Sequence, residues 1–260
     1  MKLTTITITN PTSHILLLTL NRPDVRNAIH FQMMEDLVQV WHELMNPKDI
    51  RCVILTGEGK AFCAGADLKA RQNMDIDTWR KQHLVLEKAM LTMLQCPIPV
   101  IAAVNGAAFG GGLELVLACD FAYTAEHATF SQSEVKVGLM PGAMGTQHLP
   151  RAAGIRRANE LTFTGDIFSA EEAYRYGIVN KVCPANQLMN EVLITANKIC
   201  ENAPLAIRQA KQALIMSQQL DIKTGYQFEI DVYNTLLTSK DKEEGIAAFN
   251  QKRKPQFTGH

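Results

Sequence analysis

Two short apolar runs constrain the fold of this chain most strongly. Residues 52–55 (CVIL) form one run, and residues 100–104 (VIAAV) form the other, directly after a pair of prolines. Continuous apolar runs of this length, bounded by breakers, are typical of strands buried on both faces. Residues 78–95 between them have the spacing of a helix. The order strand, helix, strand predicts an α/β fold.

The flanking segments extend this pattern. Residues 3–9 and 15–20 read as two strands joined by a turn at Asn10-Pro11, and residues 30–45 as a helix with one apolar face. Strand signals end near residue 183, and four helical patterns follow, over residues 188–200, 205–216, 224–237 and 242–249. We therefore predict an α/β core over residues 1–183, carrying the site, and a helical C-terminal region over residues 184–260.

Composition excludes several functions. The chain has 260 residues, with 26 Lys and Arg against 26 Asp and Glu, so its net charge is zero. A neutral chain is poorly suited to broad electrostatic capture of nucleic acid or anionic membrane. The N-terminus lacks a basic segment followed by an apolar one, and no apolar run is long enough to cross a bilayer. These features predict a soluble cytoplasmic protein.

The cysteines do not suggest a metal or redox site. None of the six forms a C-x-x-C pair or lies in a His/Cys cluster with ligand spacing. Free cysteine is among the most buried residue types. We predict thiols in or near the core at all six positions: Cys52, Cys63, Cys96, Cys119, Cys183 and Cys200.

The most informative stretch is a glycine triplet, Gly110-Gly111-Gly112, between an apolar strand and an apolar helix. Glycines here let the backbone approach a ligand, and the first amides of the helix can bind an anion. Glu114 follows among apolar neighbours, with no Lys or Arg within four residues. Burial would raise its pKa towards a value useful for acid–base catalysis, although a structural role with distant partners is the alternative.

A second glycine-rich cluster contains Glu134, with Gly138, Gly142 and Gly145 after it. Glu134 follows Glu114 by 20 residues. This separation is long enough for the end of a helix, a strand, a turn and a second strand, which would return the chain to the same side of the molecule. The two carboxylates can therefore converge. Taken alone, Glu134 fits equally a solvated residue at a strand edge. A third segment, residues 61–69, places small residues after a buried strand and leaves room for a flat ligand.

Together these motifs resemble the crotonase superfamily, which includes the enoyl-CoA hydratases and isomerases. The resemblance extends from LNRP at residues 20–23 to KRKP at residues 252–255, and rests on FCAGADL at 62–68, NG at 105–106, GGGLEL at 110–115, Glu134 with Gly138, and PGAMGTQ at 141–147. It implies an α/β fold, a spiral of ββα units with a helical C-terminal trimerisation region. It also implies a homo-oligomer, a trimer or a dimer of trimers.

The resemblance implies an acyl-CoA substrate and no metal or redox cofactor. The backbone amides of Ala66 and Gly111 would form an oxyanion hole, and Glu114 and Glu134 would be the two catalytic glutamates of a hydratase. Coenzyme A or substrate contacts are implied for nine residues: Arg26, Ala64, Ala66, Asp67, Leu68, Lys69, Gly142, Tyr233 and Lys252. Tyr233 and Lys252 would reach the ligand from an adjacent subunit, while a solvated tail is the alternative for Lys252.

Three residues depart from the pattern. Ser133 stands where the family usually has proline, Met144 where it has glycine, and His148 where arginine is common. The Met144 side chain either narrows the acyl pocket or turns outward into packing. Residues 71–82, including Met74 and Trp79, are expected to line the acyl end, with an ordinary core position as the alternative for Trp79.

We expect an enoyl-CoA hydratase that adds water to a trans-2-enoyl-CoA in fatty acid or amino acid breakdown. The run ADLKAR at residues 66–71 also resembles methylglutaconyl-CoA hydratases, so that substrate is the alternative. An isomerase that moves the double bond is a further alternative. A non-catalytic member that binds coenzyme A or RNA is a minor one, because the net charge is zero and both glutamates are present.

Overall fold

The computed structural model describes residues 3–260. Its strands are β1 (Ile6–Thr12), β2 (Ile15–Leu20), β3 (Cys52–Gly57), β4 (Ala61–Cys63), β5 (Val100–Val104), β6 (Ala107–Phe109), β7 (Phe121–Ala125), β8 (Thr129–Ser131), β9 (Phe168–Ser169) and β10 (Lys181–Cys183). Its helices are α1 (Phe31–Leu44), α2 (Leu68–Arg71), α3 (Ile76–Leu94), α4 (Gly111–Ala118), α5 (Gly145–Ala153), α6 (Ile155–Thr164), α7 (Ala170–Arg175), α8 (Leu188–Cys200), α9 (Pro204–Met216), α10 (Ile222–Leu236) and α11 (Lys240–Asn250). Short 3-10 helices cover Pro23–Val25 and Glu134–Val137.

The strands form two sheets that the chain visits in alternation. The larger sheet has the order β1-β2-β3-β5-β7-β10, and the smaller has the order β4-β6-β8-β9. Strands β3, β5 and β7 are parallel in the larger sheet, while β4, β6 and β8 are parallel in the smaller one. Each pair of strands is followed by a helix, so the chain advances as stacked ββα units. This stacking brings the loops after β4, β6 and β8 to one side of the molecule.

Helices cover both faces of the larger sheet. The apolar face of α1 packs against α3 and buries Trp41 and Met34 completely. On the opposite face, α8 inserts Val192 and Ala196 into a second cluster with Ile54. The C-terminal region therefore contributes to the core through α8, since its burial of apolar surface stabilises the sheet. All six cysteines are free and buried, as the sequence predicts.

The turn predicted at Asn10-Pro11 is wrong. Strand β1 continues through both residues, and the turn falls at Ser13-His14. Pro11 is tolerated because β1 is the edge strand of its sheet, where a missing N–H interrupts no ladder on the open side. The pairing register shifts between Thr9 and Thr12, which accommodates the extra residues as an irregularity.

The other predicted elements are present, with small shifts at their ends. Helix α1 begins one residue later than predicted because His30 is its N-cap, and α3 begins two residues earlier, after an N-cap at Asp75. Helix α8 has the predicted bounds. From α8 onward the chain is helical, and α10 and α11 expose large apolar side chains, including Ile222 and Phe249. No helix within residues 3–260 is long and apolar enough to cross a membrane.

Candidate active site

The glycine triplet forms the turn between β6 and α4. Gly110 has a φ of 50° and donates its amide to the Ser131 carbonyl over 2.8 Å, which ties the turn to β8. A Cβ at Gly110 would lie 2.9 Å from Oε1 of Glu134. Only glycine combines this backbone geometry with so close an approach of a carboxylate. The turn therefore brings the N-terminus of α4 beside the second glutamate.

Two backbone amides, one at this turn and one in the loop after β4, donate no backbone hydrogen bond within residues 3–260. Gly111 is the first residue of α4, so its amide has no intrahelical acceptor, and the Ala66 amide has no backbone acceptor within residues 3–260. Gly65, with a φ of 89°, packs between them. A Cβ built on Gly65 would lie 2.6 Å from the Phe109 carbonyl oxygen and 3.5 Å from the Gly111 nitrogen. This contact brings the two amides to the same opening.

The segment around Ala66 is held by a short parallel bridge. Ile29 donates its amide to the Gly65 carbonyl over 2.7 Å and accepts the Asp67 amide over 2.9 Å. Ala66 lies between these two bonds, so its amide points away from Ile29, and Ala66 lines the same pocket as Gly111. A donor fixed by its neighbours in this way can stabilise a developing oxyanion without reorganising.

Glu114 lies one turn into α4 and is only 3 % exposed. Its Oε1 accepts the amides of Ala143 and Gly145, each over 2.7 Å, while no hydrogen bond within residues 3–260 occupies Oε2. Burial raises the pKa of this carboxyl to about 7; the negative charge of Glu134 adds to the rise, and the two amide bonds oppose it. Glu114 is thus able to gain or lose a proton near neutral pH.

Glu134 begins the 3-10 helix that follows β8, and so is not the strand-edge residue that its local sequence also suggests. Gln132, which is completely buried, donates from Nε2 to both carboxylate oxygens, over 3.1 Å to Oε1 and 3.0 Å to Oε2. These bonds fix the orientation of the carboxylate. Glu114 and Glu134 both border the same pocket, as the spacing of the two glycine clusters predicts.

The pocket that contains the two glutamates is lined mostly by small and apolar residues. It includes the residues of the two free amides and both glutamates. The lining consists of Ile29, Ala64, Gly65, Ala66, Leu68, Arg71, Trp79, His83, Leu86, Gly110, Gly111, Glu114, Ser133, Glu134, Val137, Leu139, Met140 and Gly142. Four of the residues expected to contact coenzyme A or substrate are therefore in place: Ala64, Ala66, Leu68 and Gly142.

The other residues expected to contact coenzyme A are not part of this lining. Arg26 is exposed nearby, and its carbonyl accepts the Ala64 amide over 2.9 Å. Asp67 caps α2 through the Ala70 amide and pairs with Arg22 over 3.1 Å, so its carboxylate is already engaged. Lys69 is exposed.

Tyr233 and Lys252 belong to the C-terminal region. Tyr233 lines a separate apolar depression between α9, α10 and α11, and Lys252 is exposed just after α11. Within a single subunit neither residue borders the pocket of the two glutamates. Their contact with a ligand bound to another subunit stays a prediction.

The three residues that depart from the family pattern differ in whether they border the pocket. Ser133 lines the pocket, whereas Met144 and His148 do not. Met144 is the N-cap of α5 and has a φ of 76°. The amides of its two neighbours, Ala143 and Gly145, both donate to Glu114. The Met144 side chain is not part of the pocket lining. Burial lowers the pKa of His148, and the charge of Arg151 lowers it further.

Residues 71–82 contribute less of the wall than the sequence predicts. Trp79 lines the pocket, but Met74 does not. Arg71, the first residue of this range, also lines the pocket. Two residues had no assigned role: His83, which lines the pocket, and Gln132, which donates to Glu134. The helical spacing of Trp79, His83 and Leu86 on α3 was the available signal, because residues at i, i+4 and i+7 share one face. Within residues 3–260, no group of His, Cys, Asp and Glu side chains is arranged to hold a metal ion.

Comparison with known proteins agrees with this geometry. The family described as enoyl-CoA hydratase/isomerase matches residues 10–260. The short-chain enoyl-CoA hydratase of Clostridium acetobutylicum is 39% identical over 241 residues, 92% of each chain. An enoyl-CoA isomerase/hydratase of Mycosarcoma maydis is 40% identical over 255 residues, 93% of this chain and 92% of the relative.

Solved structures of enoyl-CoA hydratases have the same fold as this chain. The crystal structure of an enoyl-CoA hydratase from Bacillus anthracis superposes with a TM-score of 0.97 at 41% identity, covering 99% of this chain and 100% of the other. The crotonase-like α/β fold, with its helical C-terminal region, is thereby confirmed. The chain belongs to the enoyl-CoA hydratase/isomerase family of the crotonase superfamily.

Proposed function

We propose that this protein is an enoyl-CoA hydratase that adds water across the 2,3 double bond of a trans-2-enoyl-CoA. One observation carries the proposal: Glu114 and Glu134 border a single pocket that also contains the free amides of Ala66 and Gly111. Hydration of a conjugated thioester requires a site for the oxyanion and two groups that handle the protons of water. The pocket supplies all of these groups.

The two amides would bind the thioester carbonyl oxygen. As water attacks C3, negative charge moves onto that oxygen, and preorganised N–H donors stabilise it more than they stabilise the ground state. Each such donor is worth about 3 to 4 kcal/mol in the transition state. The positive end of the α4 dipole, at Gly111, adds to the attraction.

The two glutamates would hold the reacting water between them. One carboxylate accepts a proton as the water oxygen bonds to C3, and the other carboxyl delivers a proton to C2, so that the product is a 3-hydroxyacyl-CoA and the enzyme regains its proton. On Glu114, two backbone amides fix Oε1, and Oε2 accepts no hydrogen bond within residues 3–260, so Oε2 can bind the water. The pKa of about 7 for Glu114 suits proton transfer at neutral pH.

Several further expectations accompany this function. We propose that Arg26 lies near the phosphates of coenzyme A, and that Ala64 and residues 66–69 contact its adenine and pantetheine. We also propose that Tyr233 and Lys252 reach it from an adjacent subunit of a homotrimer or a dimer of trimers. Exposed apolar side chains on α10 and α11 support such an assembly. We also propose a cytoplasmic location and a reaction without a metal or redox cofactor.

The test is the loss of enoyl-thioester absorbance when the protein is mixed with crotonyl-CoA. Glu114→Gln and Glu134→Gln are each expected to lower kcat by at least about a hundredfold, since each removes a proton-transfer group but keeps its shape. Glu126→Gln, in the exposed turn after β7, is the matched control and is expected to keep the wild-type rate. A variant of either pocket glutamate that hydrates at the wild-type rate would refute its assigned role.

The same assay separates hydratase from isomerase. A trans-3-enoyl-CoA substrate gains absorbance only if the double bond moves into conjugation. Loss of absorbance from crotonyl-CoA, with the 3-hydroxyacyl-CoA as product, would support the hydratase. Double-bond migration without hydration would instead assign the isomerase reaction to this site.

A further inference from the structure

The segment of residues 140–143, which carries one of the two amides that hold Glu114, has few hydrogen bonds of its own. Just before it, the Leu139 amide donates to the Glu134 carbonyl over 3.1 Å, and just after it the N-cap carbonyl of α5 accepts two amides of that helix. Between these points the Ala143 amide makes the single hydrogen bond found within residues 3–260, to Oε1 of Glu114 over 2.7 Å. A segment with so few hydrogen bonds depends on packing for its position.

The imidazole of His83, on α3, packs against this segment. A Cβ built on Gly142 would lie 3.0 Å from Cε1 of His83 and 3.6 Å from its Nε2, and the next nearest atom is the Met140 carbonyl oxygen at 3.9 Å. The ring therefore fills the space that a side chain at residue 142 would need. Glu87, one turn further along α3, places its Oε1 3.6 Å from Nε2 of His83 and so gives the ring a partner on its own helix.

The contact with His83 and the hydrogen bond to Glu114 involve the same peptide group. The amide that donates to Glu114 belongs to the peptide bond between Gly142 and Ala143. A peptide group is planar and rigid, and it extends from one Cα to the next. The Cα of Gly142, beside the imidazole, therefore cannot shift without moving the N–H of Ala143. His83 thus bears on Glu114 through a single rigid unit.

We propose that His83 is a positioning residue for Glu114: its ring fixes the peptide group between Gly142 and Ala143, and this group fixes the carboxylate. The inference rests on the proposed hydratase function and adds a residue to it. His83 transfers no proton in this role, because it acts through the shape of its ring. Since small displacements of a reacting group are expensive, a contact one peptide group away from the carboxylate is enough to change the rate.

The first test compares two substitutions of His83. His83→Ala removes the ring and is expected to lower kcat for crotonyl-CoA about 10- to 100-fold. The Ala143 bond lowers the pKa of Glu114, so its weakening raises that pKa, and the part of the kcat–pH profile that reports Glu114 is expected to move to higher pH. His83→Phe keeps an aromatic ring of similar size but cannot pair with Glu87, and is expected to keep the wild-type rate and profile.

A double variant tests the contact itself. In His83→Ala/Gly142→Ala, the new methyl group at residue 142 enters the space that the ring leaves, so this variant is expected to be faster than His83→Ala alone. A second substitution that recovers activity lost in the first is characteristic of residues in contact. Leu84→Ala is the matched control, because Leu84 is the next residue on α3, is 61% exposed and is not part of the pocket lining. Wild-type kinetics are expected for it.

A titration that needs no turnover separates this inference from the function on which it rests. NMR of protein with isotope-labelled glutamate carboxyls follows Glu114, whose signal is assigned by its loss in Glu114→Gln. Its pKa is expected to be higher in His83→Ala than in the wild type, and Gly142→Ala, which displaces the same peptide group, is expected to raise it too.

An unchanged titration of Glu114 in both variants would overturn the inference, whatever happens to the rate. A loss of kcat in His83→Phe equal to that in His83→Ala would also overturn it, since the imidazole itself would then take part in the reaction. Absence of hydration by the wild type, with the titration still shifted in His83→Ala, would refute the hydratase but leave the positioning of Glu114 by His83 in place.

Discussion

The amide of Gly145 donates a 2.7 Å hydrogen bond to Oε1 of Glu114, so the N-terminus of α5 positions the buried carboxylate of α4. The amide of Ala143 makes a second bond of the same length to the same oxygen. Between them Met144 adopts a left-handed backbone conformation, with a φ of 76°. One oxygen of Glu114 is thus fixed by backbone, and the other makes no hydrogen bond within residues 3–260.

Gly145→Ala is expected to displace this carboxylate. A Cβ at this position would lie 2.9 Å from Oε1 of Glu114, 2.9 Å from Cβ of Pro141 and 3.0 Å from Oε1 of Gln132. Because small misplacements of a reacting group are expensive, we expect kcat to fall about a hundredfold. Steady-state kinetics with crotonyl-CoA measures the effect. In the control, Gly225→Ala, the nearest atom is 3.9 Å away, and a wild-type kcat is expected. Equal kcat values for the two variants would contradict the prediction.

Gly65→Ala tests the pair of free amides. The new Cβ would lie 2.6 Å from the Phe109 carbonyl, and the φ of 89° strains any residue other than glycine, so the Ala66 amide must move away from Gly111. Loss of one oxyanion donor costs about 100- to 1,000-fold in kcat. Gly138→Ala is the control: Gly138 has a similar φ of 74°, but a Cβ there would meet no atom within 4 Å. It therefore measures the effect of backbone strain without displacement of the oxyanion amides. A comparable loss in both variants would argue against the assignment.

Gln132→Met removes both hydrogen bonds to Glu134 while nearly keeping the volume of a fully buried side chain. Hydrogen bonds to a charged group contribute about 1.5 to 3 kcal/mol, so we expect kcat to fall about 10- to 100-fold. KM should change less, because the glutamine orients a reacting group and does not border the pocket itself. Gln147→Met, on the exposed face of α5, is the control. An increase in KM with an unchanged kcat would show that Gln132 serves binding instead.

Much of the site could be predicted because the glycines indicate where the backbone turns sharply or exposes its amides. The triplet before α4 marks a strand-to-helix turn with exposed amides, and the isolation of Glu114 among apolar residues marks a buried carboxylate. The distance between the two glycine clusters then indicates that two carboxylates converge. These inferences depend on residue types and on their spacing along the chain, which can be read from the sequence.

The rest depends on tertiary contacts that have no local pattern. The amides of Ala143 and Gly145 act through the backbone, so no side-chain type signals that they hold Glu114. Gln132 is an ordinary polar residue until the fold buries it next to Glu134. The wrong turn at Asn10-Pro11 has the same origin, because only the sheet order shows that Pro11 lies on an edge strand, where proline is tolerated.

The stability of the protein is expected to depend on pH through Glu114. Burial raises its pKa from 4.5 to about 7 in the folded state. Between these values the unfolded chain is ionised while the folded chain keeps the proton, so the unfolded state binds fewer protons and the free energy of unfolding falls as pH rises. At 1.36 kcal/mol per pKa unit, the loss approaches about 3 kcal/mol above the folded-state pKa.

Glu114→Gln removes this dependence, since glutamine keeps an oxygen for the two amides and does not ionise. The free energy of unfolding of the variant, relative to that of the wild type, is therefore expected to rise by up to about 3 kcal/mol between about pH 5 and about pH 8. Urea denaturation at equal protein concentration measures the difference, with the concentration fixed because subunit association also stabilises the fold. A difference that stays constant over this range would show that Glu114 ionises as freely in the folded protein as in the unfolded chain, and a buried proton-transfer role for it would then have no basis.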